Sequence, residues 1–249
     1  MKRILVTNDD GVHSEGIKAL AEALRSLGEV TVVAPLTEAS AIGHALTLRR
    51  PLRLETMGNG VYAVDGTPTD CVNIAITSVL RGMPDLVVSG INKGWNLGDD
   101  VTYSGTVSGA FEGALLGAPS IAVSLQNTGG AFDFTESASA ARMVAESVIE
   151  RGLPSQIFLN INVPKGPTKG FRVTVQAKRN HITKVNERTD PRGQKYFWIE
   201  EGQNDWEPHD RSDYQAVRDG YISITPLQPD MTAYDALAYV EGLTLQTTR

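Results

Sequence analysis

Short apolar runs alternate with segments of helical period along the first two-thirds of the chain, and the alternation breaks after Pro164. Ile4-Leu5-Val6, Val30-Thr31-Val32-Val33-Ala34, Leu86-Val87-Val88, Ile121-Ala122-Val123 and Ile157-Phe158-Leu159-Asn160-Ile161 read as strands covered on both faces. Between the first two, Ile17, Leu20, Ala21, Leu24 and Leu27 recur at helical spacing, with Gly28 placed to end the helix. Three more helices are predicted over 70–80, 106–116 and 137–149. The first turns Cys71, Ile74, Ala75 and Val79 inward, and the second is rich in small residues that permit close packing. The stretch 37–69 is less regular; its Leu46-Thr47-Leu48 and Val61-Tyr62-Ala63-Val64 runs suggest two short strands of a hairpin. This βαβ rhythm predicts an α/β fold, a parallel sheet with helices on both faces.

Residues 165–213 are rich in charge, glycine and proline, with islands at Phe171-Arg172-Val173-Thr174-Val175 and Tyr196-Phe197-Trp198-Ile199. The islands read as antiparallel strands or a projecting hairpin, followed by a late strand at Tyr221-Ile222-Ser223-Ile224-Thr225 and a terminal helix or arm. Either this segment docks on a partner subunit, as exposed aromatics on a polar extension often do, or it is a surface excursion. The 249 residues thus read as one α/β unit, a core over 1–164 and an extension over 165–249.

Composition narrows the function. A formal charge of −6 argues against a surface built for duplex nucleic acid, though a small anion is still open to it through a bound metal. The single cysteine, Cys71, allows no internal disulfide, suits a reducing compartment and is expected in the core. No apolar stretch reaches membrane-spanning length, and Met1-Lys2-Arg3-Ile4 enters a strand without a signal-peptide core, so a cytoplasmic location is expected.

The candidate chemistry lies at strand ends. Asn8-Asp9-Asp10-Gly11 follows the first strand, where open parallel sheets bind ligands. Two adjacent carboxylates repel unless a cation or shared proton relieves them. A hard divalent metal is one reading; the other is an Asx turn capping the next helix, which needs only one acid. After Leu86-Val87-Val88 comes Ser89-Gly90-Ile91-Asn92-Lys93-Gly94-Trp95-Asn96-Leu97-Gly98-Asp99-Asp100, a glycine-rich loop in which Asn92 offers a neutral oxygen to magnesium or manganese. Ser104-Gly105-Thr106 opens a helix, where free N–H groups, hydroxyls and the dipole favour an anion. Ser40 follows the second strand, with His44 near it in either a catalytic or an ordinary polar role. A cation held by acids opposite an anion-binding helix end is the layout of metal-assisted phosphate-ester hydrolysis. There is no P-loop and no Gly-x-Gly-x-x-Gly after the first strand, and His13, His44, His181 and His209 lack zinc-ligand spacing.

Six fragments in order resemble the SurE (survival protein E) family of metal-dependent nucleotidases: Ile4-Leu5-Val6-Thr7-Asn8-Asp9-Asp10-Gly11, Val33-Ala34-Pro35, Gly66-Thr67-Pro68-Thr69-Asp70-Cys71-Val72, Ser89-Gly90-Ile91-Asn92, Tyr103-Ser104-Gly105-Thr106-Val107 and Ser223-Ile224-Thr225-Pro226-Leu227. The resemblance implies a Rossmann-like three-layer core with a C-terminal hairpin and arm, and hydrolysis of nucleoside 5′-monophosphates to nucleoside and phosphate. It implies one divalent metal ion, magnesium or manganese, per subunit, held by Asp9, Asp10, Ser40 and Asn92. Asp9 and Asp10 are the implied catalytic acids, and the phosphate falls on Asn96, Ser104, Gly105 and Thr106. It also implies a homodimer or homotetramer formed through the extension. Leu36 and Ala41 depart from the family's usual acid and glycine, and neither is an implied ligand. Two rivals are a broad phosphatase or exopolyphosphatase, and a non-catalytic nucleotide sensor.

Overall fold

The Ile4-Leu5-Val6 run lies within β1 (Arg3–Thr7) and is wholly buried in the computed structural model, which describes residues 1–127, 129–180, 183–201 and 205–243. Its neighbours follow the strand period: Ile4 and Val6 join the core on one face of the sheet, Leu5 the core on the other. After β1 come α1 (Glu15–Leu24), β2 (Glu29–Pro35), β3 (Leu54–Gly58), β4 (Val61–Val64), α2 (Pro68–Ile74), β5 (Leu86–Lys93), α3 (Gly105–Leu115), β6 (Ser120–Leu125), α4 (Thr135–Arg151) and β7 (Phe158–Val163). The later elements are β8 (Phe171–Val173), β9 (Arg179–Asn180), β10 (Thr183–Thr189), β11 (Lys195–Glu201), β12 (Asp205–Trp206), α5 (Asp213–Arg218), β13 (Ile222–Leu227) and α6 (Leu237–Gly242).

One nine-stranded sheet runs β3-β4-β2-β1-β5-β6-β7-β13-β8. The block from β4 to β7 is parallel, with antiparallel joints at β3–β4 and β13–β7. β1 and β5 are adjacent although the chain leaves them in opposite directions, so a crevice opens at their carboxyl ends. β10 and β11 form the expected separate hairpin.

The four helices of the core divide two to a face. α1 packs on α4, and α2 on α3, so the pairs occupy opposite faces. α1 carries the chain toward the β3 edge, whereas α2, α3 and α4 carry it the other way. A crossover reversed in both direction and face keeps its hand, so α1, α2 and α3 share one hand and α4 has the other. Because parallel crossovers are nearly always right-handed, the β6–α4–β7 connection is left-handed. It brings the segment before α4 onto the α1 face, where Phe134 lies 3.3 Å from the place a Cβ on Gly16 would occupy.

Several elements differ from expectation. The hairpin strand is Leu54–Gly58, not Leu46-Thr47-Leu48; the latter is tied to α2, through the Thr47 amide on Asp70 (2.9 Å) and the Thr67 hydroxyl on the Ala45 carbonyl (2.7 Å). Backbone groups satisfied by a helix cap need no strand partner. The turn between β3 and β4 is Asn59-Gly60, both at positive φ, a hairpin signal present in the sequence. α2 starts at Pro68, set by a reciprocal Thr67–Asp70 capping box, and passes at Ala75–Val79 into a wider π turn. α1 ends at Leu24, before Leu27. Phe171–Val173 pairs in parallel with β13 inside the main sheet and is not an antiparallel island. Cys71 is buried, as expected. His181 lies outside the described residues.

α3 lies almost on the sheet because of its small residues. A Cβ on Gly109 would stand 2.7 Å from Ser89 Oγ and 2.9 Å from Thr7 Cγ2. Gly109→Ala should therefore lift the helix and destabilise the fold by about 1–3 kcal/mol, despite alanine's higher helix propensity. Urea unfolding measures this, and an unchanged or raised midpoint would contradict the packing argument.

Candidate active site

At the end of β1, Asn8 braces the turn as a donor through its side-chain amide. Its Nδ2 donates to the Gly11 carbonyl (3.1 Å) and to Ser14 Oγ (2.8 Å), and Ser14 caps α1 through the Ile17 amide. Ser14 rather than an aspartate caps the helix, so the Asx-cap reading is not met and both aspartates are released for other use.

Asp9 is 4% exposed and points at the start of α3. The Thr106 hydroxyl donates to Asp9 Oδ1, and the Thr106 amide supports the same carboxylate. Contact is close because residue 105 is glycine: a Cβ there would lie 2.7 Å from Asp9 Cβ and 2.9 Å from Oδ2. Burial raises the Asp9 carboxyl above the usual range, partly offset by the Thr106 hydrogen bond. Asp10 is half-buried, and burial first, then the Asp9 charge, pushes its carboxyl up to about 6. The Lys93 amide and ammonium oppose that rise, while Glu38 adds to it at both acids.

Lys93 thus ties the end of β5 to the acid pair, and its ammonium lies 5.7 Å from the Phe132 ring centre. Phe132 lines a cavity of about 240 Å³ with Leu125, Gln126, Pro164 and Lys165. Asn92, one residue before Lys93, donates its Nδ2 to the Gly94 carbonyl (2.9 Å), and its Oδ1 accepts no hydrogen bond among the described residues. Ser40 is exposed and donates to Glu38 Oε1 (2.7 Å). Its neighbour Ala39 reaches the site directly, its amide bonding the Asp9 carbonyl at 2.8 Å.

At α3 the hydroxyls do not point outward as the sequence suggested. Ser104 Oγ accepts the Val107 amide (3.1 Å) as the cap, and Thr106 Oγ1 is spent on Asp9. The Gly105 amide is left without an acceptor among the described residues, at the positive end of the helix. Asn96 is buried. Its amide donates to Asn162 Oδ1 (2.7 Å), its carbonyl accepts from Asn160 Nδ2 (2.8 Å) and Asn162 Nδ2 (3.0 Å), and its Nδ2 donates to Ser124 Oγ (2.8 Å). Sequence reasoning missed Asn160 and Asn162; their i, i+2 spacing inside an apolar strand was the available signal. It also missed Glu112, a buried carboxylate that accepts from Asn73 (2.6 Å) and pairs with His44 Nε2 (2.6 Å). His44, packed on Phe111 at 4.4 Å between ring centres, therefore fastens the Ser40 loop to α3.

The donor set suits a hard cation. No group of three or more His, Cys, Asp or Glu side chains with metal-binding geometry occurs among the described residues, so a site here rests on two carboxylates and neutral oxygens. Thr7 Oγ1, Asn8 Oδ1, Asp10 Oδ2 and Ser89 Oγ are buried without a hydrogen-bond partner. All four lie at the adjoining ends of β1 and β5, and buried polar atoms rarely stay unpaired without an ion, water or ligand. The residues fit a divalent metal.

The family model described as Survival protein SurE matches residues 4–183. The chain belongs to the SurE family. It is 53% identical to the 5′-nucleotidase SurE of Syntrophotalea carbinolica over 232 residues, 93% of each chain. It is 51% identical to 5′-nucleotidase SurE 1 of Thermus thermophilus over 247 residues, 97% of each. The crystal structure of the SurE protein from Aquifex aeolicus superposes with a TM-score of 0.87 at 43% identity, covering 97% of this chain and 99% of that one. The α/β architecture, C-terminal hairpin included, is thus that of a SurE protein.

The acid pair makes the metal-free SurE fold sensitive to pH. Asp10 titrates near 3.9 when unfolded and at about 6 when folded, so its contribution is most favourable below about pH 4 and is lost as pH rises through 6. Asp10→Asn escapes this loss. In chelator, the variant's stability advantage should grow by about 1–2 kcal/mol between pH 4 and pH 7, after discounting for the solvent that still reaches the carboxylate. Parallel pH profiles of urea unfolding for the two proteins would refute the burial of this charge.

Proposed function

We propose that this chain is a metal-dependent 5′-nucleotidase that hydrolyses nucleoside 5′-monophosphates to nucleoside and phosphate. The observation that carries the reading is the adjacent pair Asp9 and Asp10, with Asp10 Oδ2 unpartnered and Asp9 set against the amide end of α3. The names of the relatives agree with it. Asp9, Asp10, Ser40 and Asn92 would hold one magnesium or manganese ion. Such an ion supplies Lewis-acid polarisation of a phosphoryl oxygen and charge neutralisation.

The chain's own groups do the rest. Thr106 locks Asp9 through its hydroxyl and amide, so that carboxylate enters the reaction already oriented. Asp10 Oδ2, with no protein donor, accepts a hydrogen bond from the attacking water and aligns it with phosphorus. The Gly105 amide and the dipole of α3 hold the phosphate oxygens as charge builds on them, with Ser104 and Thr106 shaping the helix end and Asn96 placed by Ser124, Asn160 and Asn162. Beyond Lys93, the cavity beside Phe132 leaves room on the α1 face for the rest of a substrate.

The same reading takes 1–164 as the catalytic core and 165–249 as an extension that joins subunits. β10 and β11 form a two-stranded ribbon exposing Val185, Phe197, Trp198 and Ile199, and an isolated hairpin with apolar side chains on both faces is poorly stable in water. A homodimer or homotetramer covers it, and light scattering should show more than one chain per particle. A cytoplasmic setting agrees with the single buried thiol. None of the helices among the described residues is long and apolar enough to cross a membrane.

The deciding experiment is phosphate release by metal-stripped protein given AMP, GMP, p-nitrophenyl phosphate or short polyphosphate, with and without magnesium or manganese. Release from the nucleotides only with metal is expected, and Asp10→Asn should fall to the background rate while remaining folded. An active Asp10→Asn protein would remove that residue from the site. Saturable nucleotide binding without release would favour a sensor, and preference for polyphosphate an exopolyphosphatase.

A further inference from the structure

We infer that Asp213, in the C-terminal extension, is a positioning residue for the phosphate site: its carboxylate clamps Gly98 and thereby fixes both loop segments that hold the phosphate. The inference rests on the proposed reading of Asn96 and Ser104–Thr106 as the anion-holding part of the site.

Asp213 is fully buried, 115 residues from Gly98 in sequence. Its Oδ2 accepts the Gly98 amide at 2.9 Å, while its Oδ1 accepts the amides of Ala177 (2.9 Å) and Tyr214 (2.8 Å). The other side of Gly98 is held too, its carbonyl accepting from Gln176 Nε2 at 3.0 Å. Gly98 sits at φ +52°, and a Cβ on it would lie 2.5 Å from the Ala177 carbonyl oxygen and 2.9 Å from Trp206 Cζ3. The loop backbone is therefore pressed directly against the extension, in a conformation and space that suit glycine alone. Two residues earlier stands Asn96, and Trp95 packs edge-on against Tyr214 at 6.2 Å, with Trp206 stacked on the same ring at 4.4 Å.

Gly98 is also the first residue of the 3₁₀ turn Gly98–Thr102 that delivers the chain to α3. Asp100 in that turn accepts the Tyr103 and Ser104 amides, at 3.0 and 3.1 Å, so the turn runs without slack into the Ser104 cap. Fixing Gly98 consequently fixes Asn96 on one side and Ser104-Gly105-Thr106 on the other. The acid pair is held mainly from elsewhere, through β1, Ala39 and Lys93, and meets this helix end only where Gly105 and Thr106 touch Asp9. Asp213 touches neither substrate nor metal in this arrangement; it acts through the loop.

The chemistry of the clamp singles out a sharp substitution. Asp213→Asn keeps the shape but turns one acceptor oxygen into an NH₂ donor. The orientation that preserves the two bonds to Ala177 and Tyr214 aims that NH₂ at the Gly98 amide, donor against donor. Gln176→Ala removes the weaker hold on the Gly98 carbonyl from a partly exposed side chain and leaves the buried carboxylate intact.

The test uses the full chain loaded with manganese, and reads binding of inorganic phosphate by calorimetry, kcat and KM with AMP, and affinity for manganese alone. Asp213→Asn should weaken phosphate binding and kcat/KM by roughly 10- to 100-fold, the size of effect expected when reacting groups shift by a fraction of an ångström to about 1 Å. Gln176→Ala should weaken both by about threefold, the worth of a single neutral hydrogen bond. Manganese affinity should fall much less than phosphate affinity in both, because Asp10, Asn92 and Ser40 are not held by the clamp and only Asp9 touches the helix end it fixes. Wild-type phosphate affinity in both variants would overturn the inference, as would a loss of manganese affinity in step with phosphate, which marks a general structural role. If Asp213→Asn fails to fold, Gln176→Ala decides alone on the same criteria. Wild-type protein that binds phosphate but releases none from AMP would sink the nucleotidase reading and leave the clamp to be judged on phosphate binding. Wild-type protein that binds no phosphate would overturn both.

Discussion

Two carboxylates on consecutive residues, one almost wholly buried and the other half-buried, set the terms for everything around them. Burying like charges this close is unfavourable, and burial and repulsion both raise their proton affinity. The fold offsets part of that cost by aiming the N-terminus of α3 at Asp9, with Thr106 giving both a hydroxyl and an amide. That aim requires α3 to lie close on the sheet, which in turn requires glycine at 105 and 109. The remaining imbalance is left open at Asp10 Oδ2 and its neighbouring unpaired oxygens, which is how a protein stores affinity for a cation.

Sheet topology determines who surrounds this pair. With β1 and β5 adjacent and diverging, the crevice between them receives Asp9 and Asp10 from one side and Asn92 and Lys93 from the other. The left-handed β6–α4–β7 connection then places Phe132 on the α1 face, across Lys93 from the acids, where a right-handed crossover would have left that face open. The α3 face instead holds the proposed anion end. The proposed cation side, the proposed anion side and the cavity wall thus come from different faces and ends of one sheet.

Much of this was readable from residue order. β1, β2, β5, β6 and β7 are apolar runs of the length that only a doubly covered sheet requires, and α3 advertised its closeness through its glycines. The hairpin was misplaced because Leu46-Thr47-Leu48 looks like a strand locally, while its backbone is claimed by the α2 cap through Asp70 and Thr67. Which hydroxyl faces outward at Ser104-Gly105-Thr106 was not legible either. Thr106 turns inward because Asp9 is there, a fact of tertiary contact that spacing does not encode. Asn160, Asn162, Glu112 and Asp213 share that difficulty: each is a buried polar residue whose partner is distant in sequence, and a single chain read in order shows the residue without its partner.

The bond between Gly98 and Asp213 spans 115 positions, and that separation bears on synthesis as well as on geometry. A ribosome that has released the whole β1–β7 core has already produced both aspartates, Asn92 and α3. The carboxylate that anchors the intervening loop is still unmade, and Ala177 and Trp206 against which it rests are also downstream. A nascent chain therefore carries its acid pair before it carries the anchor of its proposed phosphate loop, and the two halves of the proposed centre are completed at different moments of translation.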